Sequence, residues 1–583
     1  MRQQYAWRLL LLVYGLAFAG LSVILQIVRI QNSPEAAIFR KQANEYANAL
    51  QTFYPDRGEI YDRNGHLLAG NKTVYEVGVD LELMRDPEAI ALAASVQLGL
   101  NYDEVRNALA APPPGMHFFL LADYVDADQA SALQQLKIRM DEKSRPGEPG
   151  SLAGLEFKAH PQRSYPEGAL AANVLGFVNR EGRGYFGVEE KYNDLLAGNP
   201  VQVWVPTNPN EAVNIPRVPD GTTLVLTINR DLQAASEEIL DQALDHYGAD
   251  GGTIVVMDPR NGEILAMAST PRMDLNQFWN YGTIFQNASE YNRAISMPYE
   301  PGSVMKVLTM AAALDGGTVT PSTSYLDTGA ILIGGATIHN WDQQAWGYQD
   351  MVGCLQHSLN VCMAWVSTQI GAQGFYGYMN RFGLGRLTGV DLAGEMAGRL
   401  KVPGDADWYP VDLGTNAFGQ GVAVTPLQLM TAASAVANQG RMVTPHVLYA
   451  MLREGHQFRV PSQYAGSPIS AQTAQTLSAM LALSLENESS AALLPGYRVA
   501  GKTGTAQIPT DSGFYDLVQT NASFIGWGPV ADPQFMIYVW LERPTASIWG
   551  SETAAPVFAQ VAEKTVLLLN IPPDSVRGLT ASH

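Results

Sequence analysis

The feature that most constrains this chain is an uncharged apolar run near its N-terminus, from Leu9 to Val28. About 20 such residues suffice to cross a bilayer as one helix, and a spanning helix divides the chain between the two sides of a membrane. Ala17 to Ala19 resembles a signal-peptide cleavage site. The apolar run continues well past that site, which favours a retained transmembrane helix at 9–28 over a cleaved signal.

Basic residues on both sides of this run bear on its orientation. Arg2 and Arg8 precede it without any acidic residue, which favours a cytoplasmic N-terminus, whereas Arg29 and Arg40 follow it closely and weaken that bias. We therefore expect residues 1–8 in the cytoplasm and the chain beyond the span outside it.

The length of 583 residues exceeds what a single hydrophobic core supports, so several domains are expected. After the span, we assign residues 29–217 to a second region and 218–570 to a third, with a hinge at Val218 to Gly221. Residues 571–583 are expected to form a loose tail. A net charge of −19, without any block of Lys and Arg, argues against a nucleic-acid partner.

Cysteine is rare in this chain. The two cysteines, Cys354 and Cys362, are too few for a disulfide framework or a metal-type cysteine pair. They flank Ser358, and we interpret them as small buried hydrophobic residues. No other metal-ligand spacing occurs, so neither a metal nor another cofactor is expected.

A first candidate for chemistry is Ser303 with Lys306. The two lie three residues apart after Pro301-Gly302, a helix-start signal, so one helical face brings the hydroxyl within reach of the amine. Serine becomes an effective nucleophile when a base accepts its proton. Burial and a nearby cation, such as Lys502, lower the pKa of a lysine enough for it to act as that base. Alone, this spacing usually marks an ordinary surface helix.

Two later motifs change that interpretation. Ser358-Leu359-Asn360 and Lys502-Thr503-Gly504-Thr505 follow in that order along the chain. Either motif alone would predict only a cap, a turn or a strand end. Together, S-x-x-K, S-x-N and K-T-G form the signature set of penicillin-binding proteins and serine β-lactamases, which this chain therefore resembles.

The region before the hinge narrows the resemblance to class B penicillin-binding proteins. Arg57 to Ala69 predicts a strand pair with a turn at Asn64-Gly65, and it resembles the first motif of the class B pedestal domain. Arg163 to Pro166 and Gly187 to Glu189, with Tyr192, resemble its later motifs. In that family these motifs fasten the pedestal together and link it to the catalytic domain.

The resemblance implies an α+β architecture with a single N-terminal transmembrane helix, an elongated α/β pedestal domain and a transpeptidase domain. The latter is expected to hold a five-stranded antiparallel sheet flanked by helices. Its first two strands are predicted by apolar runs around the Asn261-Gly262 turn, within 253–268. Three more strands and a closing helix are predicted at 499–508, 521–527, 535–541 and 554–569.

The resemblance also implies catalytic roles. Ser303 would be the nucleophile and Lys306 its base, while Ser358 would relay the proton toward the leaving amine. The backbone N–H groups of Ser303 and Thr505 would form the oxyanion hole.

Substrate binding is implied for the remaining motif residues. Asn360 would hold a peptide group of the donor strand, since an amide offers both a donor and an acceptor. Lys502 and Thr503 would attract the terminal carboxylate of a D-Ala-D-Ala stem. Gly504 would leave room for an extended peptide to lie against this edge strand.

The implied activity is D,D-transpeptidation, in which peptidoglycan stem peptides are cross-linked through a serine acyl-enzyme and β-lactams bind covalently. A β-lactamase or β-lactam sensor would use the same three motifs. However, no Glu-x-x-x-Asn pattern of a deacylating glutamate lies between Ser358 and Lys502, and a lactamase needs no pedestal. A non-catalytic scaffold would not need an intact set of motif residues.

The implied partner is a glycan polymerase. No glycosyltransferase motif precedes the catalytic region, so the polymerase is expected to be a separate multi-span membrane protein of the shape, elongation, division and sporulation family. Tyr299 to Gly302, Lys502 to Gln507 and Ala554 to Phe558 resemble the division-type, penicillin-binding protein 3-like enzymes. An elongation-type enzyme remains the alternative.

Overall fold

The computed structural model describes two compact units. The first unit takes in residues 1–56 and 198–220, and the second takes in 57–197 and 221–583. The residues described within them are 6–34, 48–143, 150–206, 218–510 and 515–577.

The first unit contains helix α1, Ala6–Gln31, which includes the apolar run. The segment Trp7–Gln31 is long and apolar enough to cross a membrane, and none of it is buried against protein. The predicted N-terminal helix is thus present and extends beyond 9–28 at both ends. The same unit holds an antiparallel ribbon of Asn48–Phe53 with Val201–Pro206.

The second unit contains a seven-stranded sheet that continues across the predicted boundary at 217. Its strands follow the order His456–Arg459, Leu448–Arg453, Thr223–Leu226, Ile60–Tyr61, Leu67–Asp80 and Phe118–Asp126, and Leu155–Ser164 also pairs with Leu67–Asp80. The predicted strand pair at 57–69 is therefore present, and Gly65 takes a positive φ of 89° in its turn. The sheet contains strands from both predicted regions. Residues on either side of the predicted boundary at 217 therefore pack in one sheet.

Helices and short strands complete this part of the second unit. Asp86 caps the helix Pro87–Leu98 through its side chain, and Gly99 ends that helix in the left-handed conformation. The helices are Pro87–Leu98, Tyr102–Ala110, Ala127–Lys143, Ala172–Leu175, Gly187–Lys191 and Asn193–Ala197, and the short strands are Phe177–Val178 and Gly184–Tyr185.

The predicted five-stranded antiparallel sheet is also present in the second unit. Its strands are β1 (Gly251–Met257), β2 (Ile264–Ser269), β3 (Ala500–Pro509), β4 (Tyr515–Gly528) and β5 (Phe535–Glu542). They lie in the order β2-β1-β5-β4-β3, so β3 is an edge strand as predicted.

Helices cover both faces of this sheet. The main helices of this part are α2 (Arg230–Tyr247), α3 (Lys306–Asp315), α4 (Met351–Gln356), α5 (Asn360–Arg381), α6 (Pro426–Ala437), α7 (Ala471–Asn487) and α8 (Ala554–Leu568). One core packs α2 and α8 against the sheet, and a second, larger core holds α3, α5, α6 and α7 on the other face.

Short elements connect these helices. The short helices and turns are Leu275–Asn280, Tyr281–Ile284, Ala288–Asn292, Arg293–Ser296, Gly302–Met305 and Asp412–Asn416. The short strands pair as Tyr325–Asp327 with Gly347–Gln349, Ala330–Ile333 with Ala336–His339, Arg399–Leu400 with Val422–Ala423, and Met442–Val443 with Tyr464–Gly466.

The tail after residue 570 is not loose where it is described. Asp574 accepts a hydrogen bond from the backbone N–H of Arg498 at 2.7 Å, and Arg577 pairs with Asp532 at 2.6 Å. That prediction is therefore wrong for residues 571–577, because side-chain contacts to distant loops are not visible in a polar terminal sequence. Residues 578–583 lie outside the described residues.

The pedestal motifs meet in one buried ion-pair network. Glu189, whose side chain is fully buried, pairs with Arg57 at 2.7 Å and with Arg163 at 2.7 Å. Arg163 also donates to the carbonyl of Gly58 at 2.8 Å. Tyr192, in the last of these motifs, donates to Asp391 at 2.9 Å. The structural role predicted for these motifs is thus confirmed: one carboxylate ties the first motif to the second, and the last motif reaches the region beyond the hinge.

We predict that Glu189→Gln destabilises the fold strongly. The substitution would leave two buried guanidinium groups without a counter-charge, which costs about 3–5 kcal/mol. Urea unfolding of the purified protein, followed by tryptophan fluorescence, measures the loss. Glu190→Gln is the matched control, since Glu190 is exposed on the same short helix. Equal stability of the two variants would contradict the prediction.

Candidate active site

Ser303 lies on the turn Gly302–Met305, which leads directly into α3. Gly302 has a positive φ of 58°, and a Cβ atom there would lie 2.9 Å from Cβ of Ala506 and 3.0 Å from the carbonyl oxygen of Thr505. Glycine therefore allows this turn to lie directly against β3. Ser303 is partly exposed at the contact between the two elements.

Lys306, one helical turn after the serine, is completely buried. Its amine donates to the carbonyl oxygen of Ser358 at 2.5 Å, to Oγ of Ser358 at 3.1 Å and to Oδ1 of Asn360 at 2.8 Å. The direct Ser303–Lys306 hydrogen bond that the spacing predicted does not occur among the described contacts. The amine instead joins the first motif to the second.

The surroundings of Lys306 favour its neutral form. Burial lowers its pKa well below the usual range, and the charge of Lys502 lowers it further. Its three acceptors are neutral groups rather than carboxylates. The structure thus provides both effects that the sequence required of a lysine base, desolvation and a neighbouring cation.

The S-x-N motif lies between two helices. Helix α4 ends at Gln356, and α5 begins at Asn360. Between them, Ser358 takes a positive φ of 52°, which is uncommon for a residue with a side chain. Backbone bonds from Ser358 to Leu355 and from Leu359 to Cys354 stabilise this turn. The turn directs the Ser358 hydroxyl and the Asn360 amide toward the same amine.

A disulfide between Cys354 and Cys362 closes this turn. Both residues are buried as predicted, but the prediction that they pack as free hydrophobic side chains is wrong. The turn between α4 and α5 brings their Cα atoms to 6.1 Å, a separation that a disulfide can bridge. A spacing of eight residues does not reveal this proximity, because it depends on where one helix ends and the next begins. The bond encloses Ser358 and Asn360 in one short covalent loop.

Lys502 is the second buried lysine of the site, and only 5% of its surface is exposed. Its amine donates to the carbonyl oxygen of Thr503 at 3.3 Å and to the Thr503 hydroxyl at 3.1 Å. Burial lowers its pKa to about 8, and the carboxylate of Glu488 acts in the opposite direction. Lys502 is therefore mostly charged at neutral pH.

Gly504 and Thr505, later in the same motif, pack tightly within the site. A Cβ atom on Gly504 would lie 2.2 Å from Oγ of Ser523 and 2.7 Å from Cγ2 of Val304. Packing inside the protein therefore also requires a glycine here, and room for a peptide along this edge stays a prediction. The Thr505 hydroxyl accepts from the backbone N–H of Gly550 at 3.0 Å.

Glu300 is a site residue that sequence reasoning missed. It accepts hydrogen bonds from the Gly421 backbone N–H at 2.9 Å and from the Tyr515 hydroxyl at 2.9 Å. Burial raises its pKa. Its place next to Pro301-Gly302 was a sequence signal, but its partners lie more than a hundred residues away. Glu300 thereby fixes the start of the serine turn to the loop at Gly421 and to the first residue of β4.

The motif residues offer four hydroxyls, two amines, an amide and backbone N–H groups. This set suits acyl transfer, which needs a nucleophile, a base and donors for an oxyanion. Among the residues that the structure describes, no group of three or more His, Cys, Asp and Glu side chains is placed to hold a metal ion.

Two family models match the chain. The penicillin binding protein transpeptidase domain matches residues 252–563, and the penicillin-binding protein dimerisation domain matches residues 52–213. Together they cover both regions in which the motifs occur.

Similar proteins are found over most of the chain. Stage V sporulation protein D of Bacillus subtilis is 31% identical over 538 residues, which is 89% of this chain and 79% of that protein. Peptidoglycan D,D-transpeptidase FtsI of Escherichia coli is 28% identical over 586 residues, covering 98% and 93%. Penicillin binding protein 3 of Mycobacterium tuberculosis, complexed with aztreonam, has a TM-score of 0.67 at 26% identity, covering 90% and 98%.

We predict that the double variant Cys354→Ser, Cys362→Ser is less stable and less reactive. Losing a cross-link of this kind costs about 2–4 kcal/mol, and the loop that holds Ser358 and Asn360 would gain freedom. Thermal unfolding and the rate of labelling by a fluorescent penicillin measure the two effects. Labelling at the wild-type rate would show that the turn does not need the bond. Because both sulfurs are buried, the variant is a cleaner test than added reductant.

Proposed function

The chain belongs to the class B penicillin-binding proteins, peptidoglycan D,D-transpeptidases that bind β-lactams, and we propose that Ser303 is its nucleophile. The observation that supports this most is the buried amine of Lys306. It follows Ser303 by one helical turn, its pKa is lowered, and it contacts both polar residues of the S-x-N motif. A surface Ser–Lys pair on an ordinary helix would share the spacing but would have neither the lowered pKa nor the contacts to a second motif.

The proposed first half-reaction forms the acyl-enzyme. Neutral Lys306 accepts the Ser303 proton as Oγ attacks the carbonyl carbon of the penultimate D-Ala. Ser358, 3.1 Å from the amine, relays a proton to the nitrogen of the terminal D-Ala. The C–N bond then breaks, D-Ala leaves, and an ester to Ser303 remains.

The second half-reaction transfers the peptide to an acceptor amine. The amine attacks the ester, a proton returns through Ser358 and Lys306 to Oγ of Ser303, and a new amide forms. A β-lactam follows the first half-reaction, but its ring nitrogen remains attached to the acyl group, so the leaving group cannot depart. In both halves, the backbone N–H groups of Ser303 and Thr505 are the proposed oxyanion donors, each typically contributing about 2.7–4 kcal/mol.

Substrate capture is assigned to the edge strand β3. Lys502 retains its charge at neutral pH because its pKa is about 8, and it lies beside the Thr503 hydroxyl. These two groups are proposed to bind the terminal carboxylate of the stem peptide. The Gly504 and Thr505 backbone is proposed to pair with the peptide, and Asn360 to bind one of its amide groups.

Membrane anchoring by α1, with the remainder of the chain outside the cytoplasm, is proposed from two observations. The helix is long and apolar enough to span a bilayer. The disulfide belongs to an oxidising compartment. The family models, at 52–213 and 252–563, support assigning residues 29–217 to the pedestal and 218–570 to the transpeptidase domain.

A septal role and a multi-span glycan polymerase as partner complete the proposal. The similarity to FtsI over 98% of the chain supports a septal role over an elongation-type one. The polymerase is proposed because the chain carries no glycosyltransferase motif of its own.

We predict that penicillin acylates Ser303 and that Lys306 sets the rate. Ser303→Ala should lose the adduct, which mass spectrometry of digested peptides detects. Lys306→Arg keeps a positive charge but cannot readily lose a proton, so acylation should slow by roughly 10²–10⁴-fold, the usual contribution of a general base. Lys401→Arg is the control, because Lys401 pairs with Asp412 outside the motifs. An adduct elsewhere, or a normal rate in Lys306→Arg, would overturn these roles.

A second prediction concerns α1. Replacing residues 6–34 with an unrelated spanning helix should keep the protein in the membrane but reduce co-purification of the polymerase and enrichment at midcell. The reason is that a partner buried in the bilayer can contact only the spanning segment there. Unchanged co-purification would contradict the partner site on α1. Enrichment of the wild type along the side wall would favour the elongation-type alternative.

A further inference from the structure

Lys502 is a buried cation without a carboxylate in direct contact. Its hydrogen bonds go to the carbonyl and the hydroxyl of Thr503, which are both neutral. Among the described ion pairs, all within 4.0 Å, none includes Lys502. A buried ammonium group usually needs compensation by an opposite charge. Any compensation in the free enzyme must therefore come from a carboxylate at longer range.

Glu488 lies where such a carboxylate is needed. It directly follows α7, which packs against both α4 and β3, the strand of Lys502. Asn487 fixes the end of α7 to Gln356 at 3.1 Å. Oε1 of Glu488 lies 3.8 Å from Nδ1 of His357, the residue before Ser358. Glu488 thus lies beside the S-x-N turn, at the end of the helix that packs against the strand of Lys502.

The other charged and titratable groups in this part of the site do not compensate Lys502. Glu486, on the same helix, is already paired with Arg498 at 2.7 Å. His357 stacks on Trp346, and burial lowers its pKa, so at neutral pH it places no charge beside Glu488. Lys306 faces Lys502 from α3, and a second lysine cannot stabilise the first.

We propose that Glu488 is a positioning residue for the transpeptidase: its carboxylate keeps Lys502 charged and ready to capture the terminal carboxylate of the substrate. This inference rests on the proposed function of Lys502 and adds a residue outside the three motifs. It acts through Lys502 and touches neither the nucleophile nor the base.

The charges on the two lysines give this role a measurable consequence. Burial lowers the pKa of Lys502, and the Glu488 carboxylate opposes that shift. Without the carboxylate, Lys502 would lose its proton at a lower pH. Because the Lys502 charge also lowers the pKa of Lys306, the loss of that charge would raise the pKa of the base. The loss of the Lys502 charge weakens capture of the carboxylate, so acylation slows on the alkaline side of neutrality.

The test is the second-order rate of acylation by a fluorescent penicillin, measured against pH on the full-length protein in detergent. This rate reports the ionisation of the free enzyme. The wild type should lose rate above about pH 8. Glu488→Gln should move that falling limb to lower pH. A displacement of about one pH unit lowers the rate at pH 8 roughly fivefold and leaves the rate at pH 6 nearly unchanged.

Two variants on the same helix end serve as controls. Glu488→Asp retains the charge and should keep the falling limb near that of the wild type. Glu486→Gln removes a carboxylate that is paired with Arg498 and should leave the limb in place. The Glu488 side chain is 43% exposed, so its replacement should leave the fold intact, which thermal unfolding checks.

Three results would overturn the proposal. An unchanged alkaline limb in Glu488→Gln would show that the carboxylate does not act on Lys502. A rate lowered equally at every pH would indicate a structural role only. Absence of any Ser303 adduct in the wild type would overturn the proposed function itself, and this inference with it.

Discussion

The buried amine of Lys306 is the interaction on which the rest of the site depends. It comes from the helix that follows Ser303, yet all three of its acceptors belong to Ser358 and Asn360 of the S-x-N motif. A polar group with no access to water must find its partners within the protein. The position of the S-x-N turn relative to the serine is therefore fixed by the need to satisfy one amine, and the disulfide closes the same turn covalently.

Two buried lysines of the site have opposite requirements. Lys306 must be neutral to accept a proton, and Lys502 must be charged to bind a carboxylate. Burial lowers the pKa of both, so burial disfavours the charged form of both. The difference arises from their neighbours: Lys306 faces another cation, whereas Lys502 has a carboxylate, Glu488, within electrostatic range. One lysine thus assists the other, since the charge of Lys502 favours the neutral form of Lys306.

Glycine plays a corresponding steric part at the contact between the serine turn and β3. Gly302 and Gly504 stand on opposite sides of that contact, and a Cβ atom on either would clash with the other element. Close approach of the two backbones sets the distance between Ser303 and Thr505, whose N–H groups are the proposed oxyanion donors. The sequence marked both glycines as parts of motifs, and the structure adds a steric reason for each of them.

Much of this protein was predictable from local sequence. The N-terminal apolar run, the Asn-Gly hairpins, the apolar strand segments and the three motifs in order predicted α1, the five-stranded sheet and the residues that meet at the site. These features are local, because helix length, turn chemistry and strand pattern depend on near neighbours in the chain. The disulfide, the partners of Lys306, the buried Glu189 network, the Glu300 contacts and the position of Glu488 were decided only by tertiary structure. Each of them joins residues whose proximity depends on how helices end and pack, and neither spacing nor composition encodes that geometry.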